Sequence, residues 1–316
     1  MLTGLIQIVI VFALAVGGWW LVLKLRKRQN KLAKFGGMIG VGLLSTIFTL
    51  FTVLASLGFI TVHAPRGNDV VEVTVAGTVE QIARGESIAA AMCASCHSLN
   101  HDLPLSGNTN LLADIPMPLG DATPPNLTPA GRVGDWTDGE IQRLIREGTY
   151  PNGHRAVVMS SQSFRVFSQE DLDSVVAYLR STPAVASEIP RKQALSALAY
   201  AFATLGMLPL KDQPDTNVPP PLVPKGPTVA YGEYVAAFAD CAICHGDTLE
   251  GGAGGLLPKG PSLRGVIGWQ AEDFVTAIRT GVTPGGEQLS DEMPWEAFRH
   301  FDDESLDALY KYVTSL

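Results

Sequence analysis

The stretch "MCASCHSLNHD", residues 92–102, holds two cysteines three positions apart and a histidine directly after the second one. The stretch "DCAICHGDTLEGG", residues 240–252, repeats the same spacing. Together the two stretches contain all 4 cysteines of the 316-residue chain. The recurring residues are Cys93, Cys96 and His97 in the first stretch and Cys241, Cys244 and His245 in the second. A pattern that occurs twice and leaves no cysteine over predicts two sites of the same chemistry.

A Cys-x-x-Cys-His run is the attachment signature of c-type haem. The two thiols form thioethers with the haem, and the adjacent imidazole becomes the proximal ligand of the iron. The sequence therefore predicts two covalently bound haem c groups, one on Cys93 and Cys96 and one on Cys241 and Cys244. The expected proximal ligands are His97 and His245.

Two other interpretations of the cysteines are a disulfide or thioredoxin-like redox pair and a four-cysteine zinc site. Neither interpretation gives a role to the histidine that follows each pair. The zinc site would also have to join two pairs that lie far apart in the chain. The haem interpretation explains every repeated residue, so it is the one we follow.

The segments after each motif are also repeated, and the repeat points to a second iron ligand for each site. From Trp136, an arginine follows at +10 and a glycine at +12, and Trp269 keeps both offsets. From Met159, a phenylalanine follows at +5, a leucine at +13 and a tyrosine at +19, and Met293 keeps all three. A lone methionine is more commonly core filler. Because Met159 and Met293 occupy equivalent places downstream of their motifs, we expect both to ligate iron.

Three other histidines could compete for the irons: His101, His154 and His300. None of them has a counterpart at the equivalent place in the other repeat. We expect them to be solvated or to lie near a haem propionate. His154 lies five residues before Met159, which makes it the strongest alternative ligand.

The sequence also predicts helices downstream of each motif. The run from Ser168 predicts a helix with Ser168 as N-cap and Asp171 at the third position, and the same plan recurs from Asp302. Two shorter helices are expected to end at Gly148 and Gly281. Gly/Pro-rich loops between the helices, such as residues 249–261, are expected to wrap the porphyrin edge.

The N-terminal region is apolar and free of acidic residues, since the first acidic residue of the chain is Asp69. Residues 3–23 and 36–60 contain no charged side chain, and about 20 helical residues span a bilayer. Six basic residues lie between them: Lys24, Arg26, Lys27, Arg28, Lys31 and Lys34. Because basic loops stay in the cytoplasm, we expect a two-helix hairpin in the cell membrane with residues 61–316 on the periplasmic or outer face. A cleaved signal peptide is disfavoured, because "MLTG" lacks the positive charge that precedes its apolar run.

The rest of the chain is acidic. After residue 60 it has 17 basic and 31 acidic side chains, a net charge of −14. This excess excludes nucleic acid as a partner, since phosphate binding needs a basic face. It favours redox proteins with a basic patch as partners of the acidic domains. Membrane lipid is expected as a partner at the hairpin because its two helices are apolar.

These observations divide the chain into five parts. We expect a hairpin anchor at residues 1–60, a tether at 61–78, a first domain at 79–183, a linker at 184–227 and a second domain at 228–316. The linker contains a polyproline-like spacer at 217–227 and an apolar stretch at 194–210. That stretch is short for a membrane span, and we expect a helix packed over the haem domains rather than an interfacial membrane contact.

Both repeats resemble class I cytochrome c domains, with a first helix that ends in Cys-x-x-Cys-His, a Met ligand on a loop and a closing helix. The segments "NLTP…WTDGEI…REG" and "GPSL…IRTG…MPWEAF" are similar to those of the cytochrome c subunits of membrane-bound alcohol and gluconate dehydrogenases. Two haem domains behind an N-terminal hairpin are similar to the dihaem subunit of some haem–copper oxidases. The resemblance implies a mainly α fold of two tandem class I cytochrome c domains behind a transmembrane hairpin. It also implies that the carbonyls of Pro125 and Pro261 accept a hydrogen bond from the proximal histidines.

The expected function is electron relay and not catalysis. His/Met ligation raises the haem potential, which suits transfer from a quinol-oxidising complex or dehydrogenase to a terminal oxidase or photosynthetic reaction centre. A dihaem peroxidase would need one iron with an open sixth position, and a haem-based sensor would need a cytoplasmic output domain. Both alternatives predict a high-spin haem, whereas the relay predicts two low-spin haems.

Overall fold

The structure is a computed structural model that describes residues 2–189, 192–208, 210, 220–252 and 259–316. The fold is mainly α, as expected. The helices in these residues are α1 (Leu2–Leu25), α2 (Lys31–His63), α3 (Val79–Met92), α4 (Ala94–His97), α5 (Asp138–Glu147), α6 (Ser161–Phe164), α7 (Gln169–Ser181), α8 (Ala197–Thr204), α9 (Val229–Phe238), α10 (Cys241–His245), α11 (Ala271–Thr280), α12 (Trp295–Phe298) and α13 (Asp303–Thr314). The described strands are β1 (Gly120–Thr123) and β2 (Lys192–Leu195).

The two N-terminal helices α1 and α2 pack against each other as a hairpin. Both are long and apolar enough to cross a membrane, over Leu2–Leu25 and Lys34–His63. Helix α1 approaches α2 closely because Gly18 has no side chain. A Cβ on Gly18 would lie 2.1 Å from the Ser45 hydroxyl oxygen. Most of the large apolar side chains of the hairpin point outwards and are exposed. Such an unsheltered apolar surface is typical of lipid-facing helices.

Each repeat is built on a crossing of its first and last helices, α3 with α7 and α9 with α13. Glycines at equivalent places make the crossings close. A Cβ on Gly85 would lie 1.9 Å from the Ser174 carbonyl oxygen, and one on Gly232 would lie 2.0 Å from that of Ala308. The two crossings are therefore copies of the same packing arrangement, which confirms the internal repeat.

The predicted helix ends are confirmed. The Ser168 side chain accepts a hydrogen bond from Asp171 N, and the Asp302 side chain accepts one from Ser305 N. Helices α5 and α11 end at Gly148 and Gly281, whose φ angles of 63° and 74° lie in the left-handed region that favours glycine.

The two repeats share one continuous apolar core. Phe238 of the second repeat contacts Phe167 of the first and Phe301 of its own, with ring centroids 5.1 and 5.7 Å apart. Equivalent hydroxyls cross the interface in both directions. Tyr234 accepts a hydrogen bond from Ser168 N at 2.9 Å, and Ser87 accepts one from Asp302 N at 3.0 Å. The repeats thus pack about a pseudo-two-fold axis, each capping the last helix of the other.

The linker contains a strand, β2, that the sequence analysis did not predict, ahead of the short apolar helix that it did predict. Strand β2 pairs antiparallel with β1, with Ala122 opposite Gln193. Helix α8 then packs mainly against α2 and α1, while Leu119 and Val157 of the first repeat join its apolar cluster. The apolar stretch therefore packs chiefly on the N-terminal hairpin and only in part on the first repeat.

The segment between α2 and α3 has no helix or strand, as expected of a tether. It lies along the first repeat, where Asn68 N donates to Glu147 and Val75 N donates to Asp138. Two expectations fall partly outside the described residues. They are the polyproline-like spacer, at 217–219, and the porphyrin-wrapping loop, at 253–258.

Candidate haem sites

The first Cys-x-x-Cys-His motif opens onto a cavity of about 390 Å³, within the size range of cofactor sites. Helix α3 ends at Met92 and the one-turn helix α4 follows, so that the motif is presented at the end of a buried helix. The cavity brings together all five residues predicted for this site: Cys93, Cys96, His97, Pro125 and Met159. The remaining lining is largely apolar and includes Leu127, Val133, Ile141, Ile145, Phe164 and Leu179.

The proximal side is ordered by one hydrogen bond. His97 Nδ1 lies 2.9 Å from the Pro125 carbonyl oxygen, the contact that the family resemblance implies. A ring that donates from Nδ1 leaves Nε2 for a metal. Burial lowers the pKa of His97, although the Pro125 hydrogen bond acts in the opposite direction. The ring is therefore neutral at physiological pH, which is the form that ligates iron.

On the distal side, the structure distinguishes between the two candidate ligands of the first repeat, Met159 and His154. Met159 is half-buried and lines the cavity. His154 instead lies beside His63 at the end of α2, with ring centroids 5.9 Å apart, and is absent from the described lining of the cavity. This placement supports Met159 over His154.

The second repeat has the same proximal arrangement. His245 is 6% exposed, and its Nδ1 lies 2.7 Å from the Pro261 carbonyl oxygen. Cys241 and Met293 are half-buried against the shared core, and Gly260 N donates to the Cys244 carbonyl at 2.8 Å. The contact between the proximal histidine and a proline carbonyl is thus the same in the two sites.

None of the four cysteines, all of which lie in the described residues, forms a disulfide bond. Burial raises the pKa of both Cys93 and Cys241 to about 12, so both sulfurs are uncharged at neutral pH. An uncharged sulfur in an apolar wall suits a thioether, which is itself uncharged. The donor set, the ordered imidazoles and the apolar cavity therefore fit a covalently held haem.

Several cavity residues were missed by the sequence analysis. Arg132, Lys192 and Gln193 contribute polar groups to the lining, and the two cations suit carboxylates such as haem propionates. A further part of the wall comes from the second repeat. Its residues are Ala239, Asp240, Pro294, Ala297 and Phe298. No sequence signal marks these positions, because they reach the cavity only through packing between the repeats and the linker.

Two other histidines, His101 and His300, are absent from the described lining of the cavity. His300 Nε2 is 4.0 Å from Asp102 Oδ1, and burial lowers the pKa of His300 despite that carboxylate. His101 is exposed and has a positive φ of 56°. Both placements agree with the expectation that these side chains are not ligands.

Paired haem-attachment turns, each closed by a proline carbonyl and framed by crossing helices, define this molecule as a cytochrome c. Residues 80–179 and 228–313 match the family described as cytochrome c oxidase, cbb3-type, subunit III. These segments cover more than half of the chain, and the chain belongs to this family. Cytochrome c domains of this kind imply covalently attached haem c.

Several relatives are cytochrome subunits of dehydrogenases. A fructose dehydrogenase cytochrome subunit from Gluconobacter japonicus is 34% identical over 109 residues, which cover 30% of this chain and 22% of the relative. A gluconate 2-dehydrogenase cytochrome c subunit from Pantoea cypripedii is 30% identical over 132 residues, 37% and 27% of the two chains. A dihaem cytochrome c-type protein from Cereibacter sphaeroides is 34% identical over 96 residues, 29% and 32%. The similarity thus spans only a fifth to a third of each relative's length, and it identifies an electron-transfer cytochrome.

Proposed function

We propose that this chain is a membrane-anchored dihaem cytochrome c that relays electrons and catalyses no reaction of its own. It would pass electrons from a quinol-oxidising complex or dehydrogenase to a terminal oxidase or photosynthetic reaction centre. The proposed attachment and ligand residues are those that the repeat pairs: Cys93, Cys96, His97 and Met159 in one site, and Cys241, Cys244, His245 and Met293 in the other.

The observation that supports a relay is the shared wall between the two sites. Pro294, Ala297 and Phe298 of the second repeat line the cavity of the first. Pro294 directly follows Met293, the proposed ligand of the second iron. The distal side of the second site therefore adjoins the first cavity, and both sites border the same apolar core.

The residues of each site prepare it for electron exchange with little rearrangement. When bound, haem supplies a one-electron iron couple, and His/Met ligation places that couple at a high potential. Pro125 and Pro261 hold the imidazole rings through their carbonyl oxygens. The apolar lining excludes water and lowers the local dielectric, so the protein tunes and insulates the cofactor.

The hairpin would anchor the relay in the cell membrane. Its basic residues between α1 and α2 favour a cytoplasmic loop, which leaves both repeats on the periplasmic or outer face. The net charge of −14 after residue 60 favours a redox partner with a basic surface. The relatives named as dehydrogenase cytochrome subunits support a permanent protein partner as well.

The test is the haem content and spin state of the purified full-length protein. Mass spectrometry of the denatured chain should show the added mass of two haems, and the oxidised spectrum should show two low-spin haems with a Met–iron charge-transfer band. A Cys241→Ala/Cys244→Ala variant should retain one haem as the internal control. A wild-type chain with fewer than two haems, or with a high-spin haem, would contradict the relay and favour a peroxidase or sensor.

A further inference from the structure

The strand β2 lies outside both cytochrome c segments, because it follows residue 179 and precedes residue 228. It nevertheless contributes Lys192 and Gln193 to the lining of the first cavity. Within the described residues, β1 and β2 form a two-stranded sheet. In the second repeat, the bridge between Val282 and Gln288 is the counterpart of the bridge between Thr149 and Arg155 in the first, and the described residues place no strand beside it. The two haem sites therefore differ here.

The side chain of Gln193 binds the loop that carries Met159. Its Oε1 accepts a hydrogen bond from Val157 N at 3.3 Å, and its Nε2 donates one to the Arg155 carbonyl at 3.1 Å. A single amide thus replaces the two backbone contacts that a neighbouring strand would make. Between these contacts, Ala156 N donates to the Gly148 carbonyl at 2.8 Å. The loop is held from both sides two residues before Met159.

The same strand pair reaches the proximal side of the site. Strand β1 ends at Thr123, and the chain continues directly to Pro125, whose carbonyl oxygen contacts His97 Nδ1. Gln193 lies opposite Ala122 of β1. One small sheet therefore adjoins the segments that place both proposed axial ligands of the first iron.

The strand is also tied to the membrane hairpin. Helix α8 begins two residues after β2, and Ala197 N donates to Gln7 Oε1 of α1 at 2.8 Å. The loop itself contacts the hairpin, because Arg155 N donates to the Val62 carbonyl at 3.4 Å. Val157 is completely buried between these elements. A displacement of the hairpin would thus be transmitted to the loop that carries Met159.

We propose that Gln193 is a positioning residue of the first haem site, which holds Met159 in ligating position and couples the first haem, but not the second, to the membrane anchor. The proposal rests on the proposed function in one respect, namely that Met159 ligates the first iron. Loss of the two hydrogen bonds should favour the open loop by about tenfold or more. We expect the second haem to stay unaffected, because in the described residues β2 pairs with β1 and binds the loop of Met159, and no hydrogen bond joins it to the loop of Met293.

The experiment uses the full-length holoprotein with Gln193→Met, which keeps the side-chain length but removes both hydrogen bonds. Gln193→Glu keeps the acceptor for Val157 N and loses the donor to Arg155. Leu222→Ala, at a linker residue that is 90% exposed, is the matched control. The readouts are the Met–iron charge-transfer band, the two midpoint potentials and the binding of cyanide to the oxidised protein.

In Gln193→Met we expect cyanide to bind one haem at least about tenfold more tightly than in the wild type. The same haem should show a weaker charge-transfer band and a lower midpoint potential. Gln193→Glu should fall between Gln193→Met and the wild type, and Leu222→Ala should match the wild type. A Gln193→Met protein with an unchanged charge-transfer band, unchanged potentials and unchanged cyanide affinity would overturn this proposal and leave the proposed function intact. Equal changes at both haems would do the same. A wild-type protein without the band would overturn the Met159 assignment itself, and with it this proposal.

Discussion

The guanidinium group of Arg84 donates to both carboxylate oxygens of Asp171, at 2.8 and 3.1 Å, and both side chains are only 7% exposed. The same guanidinium group donates to two side chains of the second repeat, Ser305 at 2.9 Å and Asp302 at 3.3 Å. Tyr234 of the second repeat also donates to Asp171, at 2.7 Å. A single buried cation therefore joins the first turns of α7 and α13 across the interface between the repeats.

Replacement of Arg84 by Met should lower the free energy of unfolding by about 3–5 kcal/mol, because Asp171 would remain as a buried charge without its partner. Chemical denaturation of the solubilised holoprotein measures this loss. The matched control is Arg264→Ala, whose pair with Glu250 at 2.7 Å is about half exposed on both sides. That variant should lose less than about 1 kcal/mol. Equal losses in the two variants would show that Arg84 does not hold the repeats together.

Acid should weaken the same interface. Burial opposes the charge on Asp302, but the hydrogen bonds from Lys225 and Ser305 and the charge of Arg84 outweigh it and lower the pKa of Asp302 to about 2. The unfolded chain has an aspartate pKa near about 3.9. The stabilisation is therefore complete above that value and is lost as the pH falls through about 2. Unfolding measured from about pH 5 to pH 2 should show it.

The control for this pH dependence is Asp302→Asn, which keeps an N-cap side chain at the start of α13. The difference in unfolding free energy between wild type and variant should shrink as the pH falls, because the wild-type carboxylate becomes protonated. A difference that stays constant from pH 5 to pH 2 would contradict the assignment of this charge to the interface.

Substitution of the proposed axial methionines should act on one haem at a time. Met159→Ala and Met293→Ala should each convert one haem to the high-spin form and lower its potential, because His/Met ligation is lost. Absorbance and redox titration of the holoprotein measure both effects. His154→Ala is the control, since His154 lies against His63 and away from the described lining of the cavity. A spectral change in His154→Ala without one in Met159→Ala would reverse the assignment.

The sequence predicted the features that depend on local pattern and on repetition. The helix ends at Ser168, Asp302, Gly148 and Gly281 follow from the chemistry of caps, and each is present. The equivalence of the two helix crossings follows from the repeat. Position in the repeat also singled out Met159, which lines the cavity.

The features that the sequence did not predict depend on contacts between distant segments. Arg84 has no arginine counterpart in the second repeat, where Tyr231 stands, so the repeat itself gave no hint of a shared cation. Strand β2 is only four residues long and lies in an apparent linker, and its partner β1 lies in a loop of the first repeat. Short strands that pair over such a separation leave no period in the sequence. From the sequence, the apolar stretch at 194–210 is expected to pack on the haem domains. It packs mainly on the hairpin, because the hairpin offers the larger apolar surface, which the sequence does not show.

The arrangement of α8 yields a prediction about topology. Gln7 near the start of α1 binds Ala197 N, and Tyr200 of α8 contacts His63 at the end of α2, with Oη and Nε2 2.7 Å apart. Both ends of the hairpin therefore meet α8 on the side of the haem repeats, and the basic loop from Lys24 to Lys34 lies at the opposite end. A protease added to intact spheroplasts should remove both haem-bearing domains together. A protease site inserted after Asn30 should be cut only once detergent has opened the membrane. Cleavage at that site in intact spheroplasts, or protection of either haem domain, would overturn a hairpin with its basic loop in the cytoplasm.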